Sequence, residues 1–138
     1  MQIPSQRQAL NLMLILLIAI MLFHILVLIQ VIPYTIVWAG KLKDIAEMRS
    51  FETVSILINT LLIVVLLFKA KYIQNNVPVK ILNGIIWLFA MLFALNTIGN
   101  LFAKTKFELF VFTPLTLIFT LLCLRIVIEE TNKKKNLM

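Results

Sequence analysis

Four long apolar runs, separated by short polar connectors, constrain this chain more than anything else in it. They are Leu10 to Ile32, broken only by Asn11, His24 and Gln30; Thr53 to Phe68; Ile81 to Ala103; and Phe107 to Ile128. A helix needs about 20 residues to cross hydrocarbon, within a range of about 17–25. The first, third and fourth runs reach that length. The second reaches it by borrowing Arg49–Glu52 at its start and Lys69–Tyr72 at its end, with the lysine stems snorkelling to the interface.

Backbone polar groups in lipid must be satisfied internally, so a spanning segment is a helix or a strand of a closed barrel. Barrel strands alternate polar and apolar residues. These runs are apolar on all sides, so they are helices. The connectors are short: Pro33 to Ser50, Lys71 to Lys80 with Asn75-Asn76-Val77-Pro78 as the turn signal, and Lys104 to Lys106. Short connectors force successive helices antiparallel. The chain therefore reads as an all-α integral membrane protein, an antiparallel up-down four-helix transmembrane bundle. It forms a single membrane domain over 1–138, with spans at about 10–34, 50–70, 80–103 and 107–128 and a basic tail over 129–138. Arg7 before the first run and Val37-Trp38-Ala39 after it loosely suggest a signal peptide. The apolar stretch exceeds the roughly 7–15 residues of such a segment, so it is read as a retained span. The halves of the chain do not match, and no inverted repeat is expected.

Composition removes several function classes. Hydrophobic residues make up 62% and charged residues 14%, against about 45–50% and about 25% in a soluble domain. A soluble enzyme, a disordered chain and a fibrous protein are excluded. One cysteine makes no internal disulfide, redox pair or zinc cage. The net charge of +7 would suggest nucleic acid in a soluble protein. Here the basic residues flank apolar runs, so they read as topology signals that meet anionic headgroups. Membrane lipid is the expected partner, with a membrane-protein partner or a second copy of the chain as further possibilities, and no nucleic acid.

Orientation follows from the same charges. The ends shared by both termini and the middle connector carry Arg7, Lys69, Lys71, Lys80, Arg125 and Lys133 to Lys135, eight positive residues. The opposite ends carry Lys41, Lys43, Arg49, Lys104 and Lys106, five. The positive-inside rule then predicts cytoplasmic termini in an inner (plasma) membrane.

The intramembrane polar residues gather in the half away from the termini. The candidate ligand pocket comprises Gln30, Tyr34, Trp38, Glu52, Ser55, Asn59, Asn96, Asn100, Glu108 and Thr113. Gln30, Tyr34 and Trp38 recur every four residues if the first helix continues past Pro33. Glu52, Ser55 and Asn59 fall at i, i+3 and i+7 on one face. Asn96, Gly99, Asn100 and Ala103 form a small-and-polar stripe, and Thr113, Thr116, Thr120 and Cys123 another. Two readings compete. The first makes these residues interhelical glue, since small stripes let backbones approach and Asn or Thr then bond across. The second makes them the lining of a pocket, because polar groups in a membrane are costly and often mark sites. On the stripe, Asn96→Leu is expected to do more damage than Thr97→Leu.

Single residues receive the same weighing. His24, the one histidine, reads as a side chain bonded to a neighbouring helix, and no metal site or cofactor is expected. Tyr34, Trp38, Tyr72 and Trp87 lie near span ends, where belt anchoring is the ordinary role. Pro114, near the start of the fourth span, frees a carbonyl for Thr113 or another partner. No GxSxG, HExxH, GxGxxG or Walker motif is present. The leading expectation is a non-enzymatic protein that binds a lipophilic small molecule, a lipid or a membrane-protein partner at this pocket. The alternatives are a membrane-embedded enzyme acting on a lipid or quinone, with Glu52 and Glu108 as acid–base pair, and an oligomeric proton or ion conductor.

Overall fold

The computed structural model describes residues 4–135, and it is all-helical, with no strand among the described residues. Four helices form the bundle: α1 (Gln6–Leu28), α2 (Ile45–Lys69), α3 (Val79–Leu101) and α4 (Thr113–Lys135), the last entered through a π turn at Glu108–Phe112. Four segments, Gln6–Leu28, Ile45–Lys69, Val79–Leu101 and Glu108–Glu129, are long and apolar enough to cross a membrane. Each helix packs on its two neighbours in a ring, α1 on α2 and α4, and α3 on α2 and α4.

Local signals explain the boundaries. Ser5 and Gln8 form a capping box at the start of α1: Gln8 N donates to Ser5 Oγ, and Ser5 N donates to Gln8 Oε1 at 2.8 Å. Asp44 caps α2, accepting from Glu47 N at 2.8 Å. Pro78 precedes α3.

The first span ends six residues before the expected boundary at 34, and its end has a specific cause. Ile29 closes α1, and Gln30 takes the left-handed conformation, φ 63. Gln30 N bonds Val27 O, and Val31 N bonds Leu26 O, the two bonds of a Schellman motif. Lys71 (φ 59) ends α2 the same way, with Lys71 N on Phe68 O and Tyr72 N on Leu67 O. Both motifs use a long polar residue where glycine is usual. After Gln30 the chain turns away through two 3-10 turns, Tyr34–Ile36 and Trp38–Gly40, instead of continuing as helix.

The two ends of the bundle differ. At the end holding both termini, Arg125 Nε donates to Pro4 O at 2.7 Å and Gln6 Nε2 to Ile126 O at 2.8 Å, tying α1 to α4. Tyr72 Oη donates to Asn11 Oδ1 there, and Lys69 Nζ to Asn83 Oδ1, both at 2.6 Å. Arg125 also pairs with Glu129 one turn on, at 2.8 Å, and α4 continues helical to Lys135. The core of that half is apolar, built on Met13, Leu17, Leu62, Leu66, Ile86 and Ile126, all fully buried. At the other end, the loop end, a smaller cluster of Val27, Val37 and Met48 pins the 29–44 connection over the bundle.

Candidate functional site

The loop-end half of the bundle encloses a cavity of about 530 Å³, lined by all four helices and by the 29–44 connection. Pockets for small ligands run about 300–1,000 Å³. Of the expected site residues, Trp38, Glu52, Ser55, Asn59, Asn96, Asn100 and Glu108 line this one space. Gln30, Tyr34 and Thr113 do not. Gln30 is exposed at the turn that ends α1, and Tyr34 sits in the first 3-10 turn against the Val27–Val37–Met48 cluster. Their spacing from Trp38 carries no helical face, because the helix has already stopped. Thr113 instead hydrogen-bonds Glu108 O from its hydroxyl at 3.4 Å.

Glu52 lies at the heart of the site. It is 1% exposed, and both its oxygens are engaged. His24 Nδ1 lies 2.6 Å from Oε2, and Trp38 Nε1 donates to Oε1 at 2.8 Å. An unpaired carboxylate at this depth would cost several kcal/mol, on the order of the penalty for a buried ion; two donors offset it. Trp38 reaches Glu52 from a left-handed backbone, φ 56, while its ring rests on Phe51 with centroids 4.8 Å apart. That conformation costs an L-residue roughly 1–2 kcal/mol, and such outliers persist where surrounding contacts over-determine them. Gly40, φ 65, completes the turn without that cost.

His24 is bonded to a neighbouring helix, α2, as its sequence context predicts, and it also lines the cavity. Its absence from the expected site is the main omission. A depth count carries the missing signal. His24 lies four residues before the end of α1, and Glu52 seven after the start of antiparallel α2. At about 1.5 Å per residue these are about 6 and 10 Å from the same end.

Glu108 is held separately. It is buried at 6% exposure, and Thr105 Oγ1 donates to its Oε2 at 2.7 Å. The Thr105 hydroxyl also lies 3.2 Å from Ile36 O, linking the 29–44 connection to the head of α4. The π turn that follows widens the helix, and Thr113 N bonds Glu108 O five residues back. π turns inside helices occur often at functional sites. Here the turn precedes Pro114, which has no N–H to give. Phe112 packs edge-on to Phe23 of α1, centroids 5.2 Å apart, and both border the cavity. Phe93 and Phe119 line it further toward the apolar core, 4.8 Å apart.

The stripe on α3 has a different role from the one its spacing suggests. A Cβ built on Gly99 meets nothing within 4 Å, so no backbone approaches there. The interhelical bond runs instead from Thr97 Oγ1 to Thr116 Oγ1 of α4, at 2.9 Å. Asn96 and Gly99 are exposed and border the cavity, as do Val54 and Ile58 of α2 and Leu92 of α3. The cavity therefore opens sideways, between α2 and α3. Among the described residues no group of three or more metal-ligating side chains gathers.

Comparisons of the sequence with protein families, with curated proteins and with solved structures return no match.

Proposed function

We propose that this is a small polytopic inner-membrane protein that binds an amphiphile, a lipid or lipophilic small molecule, in the loop-end cavity. With both termini cytoplasmic, as the eight-to-five distribution of positive residues favours, the cavity faces the outer leaflet. One observation carries the reading: the space of about 530 Å³ joins a polar set around Glu52 to an aromatic wall, and it opens between α2 and α3. An amphiphile has that same division. Its head needs polar partners at interfacial depth, and its tail needs an exit into hydrocarbon.

The acid–base alternative draws less support, because Glu52 is engaged by His24 and Trp38 while Glu108 is engaged by Thr105. Conduction through one chain draws less still, since the core of the terminal half is apolar. Native mass spectrometry of the protein released from its own membranes tests the proposal. One amphiphile retained per chain, and lost in a variant whose cavity mouth is filled, is the expected result. A bare chain under the gentlest release would count against it.

A further inference from the structure

We propose that the head group taken by this cavity is a hydrogen-bond donor, an O–H or N–H, received by Nε2 of His24; this rests on the binding reading above. The Trp38 indole has only a proton to give, so Glu52 Oε1 is an acceptor. The other oxygen of the carboxylate lies 2.6 Å from His24 Nδ1, a pairing in which Nδ1 is the donor when the carboxylate is ionised. A neutral imidazole protonated at Nδ1 carries its lone pair on Nε2. His24 borders the cavity, and its side chain is 15% exposed.

The other buried polar groups of the lining spend most of their donors on the protein. Asn59 Nδ2 donates one of its two N–H groups to Ser55 O at 2.8 Å, and its carboxamide oxygen is an acceptor. The Thr116 hydroxyl donates to Phe112 O at 2.8 Å. Glu108 contributes a carboxylate. The groups with donors to spare besides Asn59, namely Ser55, Asn96, Asn100 and Lys41, are exposed or half-buried. The charged and titratable groups around His24 are Glu52 from α2, Lys41 from the 29–44 connection and Glu108 from α4; α3 contributes only amides. The buried part of the cavity is therefore rich in acceptors and poor in donors, and a head that brings its own O–H or N–H complements it.

The test uses the full chain in nanodiscs of phosphatidylcholine, a lipid whose head has neither O–H nor N–H. Trp87 is exposed on the outside of the bundle, so Trp87→Phe leaves Trp38 as the one indole reporter without altering the cavity. Dodecanol and dodecylamine should shift Trp38 emission saturably, and about two- to tenfold more tightly than dodecyltrimethylammonium, the range that one hydrogen bond of ordinary strength supplies. In protein labelled with 15N-histidine, the single histidine gives one pair of ring resonances, and Nε2 should move on adding dodecanol while Nδ1 stays. Equal affinity for the trimethylammonium probe, or a stationary Nε2, overturns the donor rule while leaving the binding reading intact. Saturation by no probe overturns both. Displacement of dodecanol by phosphatidylethanolamine would identify the donor as a bilayer lipid's head; failure to displace would identify it as a single-chain amphiphile, and either supports the rule.

Discussion

His24 Nδ1 lies 2.6 Å from Glu52 Oε2, joining α1 to α2 at the depth of the cavity. With the Trp38 indole on the other oxygen, this pair ties two helices and the 29–44 connection to one buried carboxylate. Removing the carboxylate leaves both donors unpaired. Glu52→Leu should cost roughly 2–6 kcal/mol, since each buried donor left unsatisfied costs about 1–3 kcal/mol. Glu52→Gln, which keeps an acceptor for Trp38, should cost less. In a cycle read by thermal unfolding in detergent, His24→Phe with Glu52→Leu should be less harmful than the two single losses added together. Strict additivity would contradict the pairing.

Gly99→Leu separates the cavity from the fold. The site has open space where a side chain would go, and replacing a helical glycine recovers about 0.8–1 kcal/mol of helix propensity. The variant should therefore melt at or above the wild-type temperature, yet lose retained amphiphile in mass spectra. A fall in melting temperature would mean that α2 and α3 close on each other at this point.

Thr97 and Asn96 should divide in the opposite sense from the stripe argument. Thr97→Val removes the hydroxyl that bonds Thr116 across α3 and α4. Such bonds contribute about 0.6–1.7 kcal/mol in membranes, so melting should fall measurably. Asn96→Leu, at the cavity mouth, should leave melting nearly unchanged and weaken binding. Equal stability losses would restore the packing reading of Asn96.

Topology is tested by reporter fusions at either terminus. The positive count predicts a cytoplasmic C-terminus. An active periplasmic phosphatase fused there would turn the cavity to the cytoplasmic leaflet, while leaving its chemistry unaltered.

The helices were legible because apolar runs of that length leave the backbone no other way to satisfy itself. The convergence of Glu52, Ser55 and Asn59 was legible from i, i+3, i+7 spacing, which survives intact inside α2. The path from Leu28 to Asp44 was not. Its turning point is Gln30 in a conformation usually left to glycine, and its reach into the site depends on Trp38 in another. Pro33 was the only warning that α1 had ended. His24 was hidden for a different reason: its partner lies 28 residues away, and only a comparison of depths on antiparallel helices brings them together. The α3 stripe was legible as a face, and Asn96 and Asn100 do border the cavity, but spacing does not say whether a helix or a void lies opposite.

Photocrosslinking with a long-chain alcohol that carries a diazirine near its hydroxyl end tests the central claim most directly. Added to the protein in bilayers and activated, the probe should modify Ile58, Leu92 and Phe93, which line the cavity, saturably and in preference to Leu57 and Leu95, which are exposed but do not line it. Gly99→Leu should abolish that preference. Labelling spread evenly over the lipid-facing residues, and unchanged in Gly99→Leu, would contradict the account.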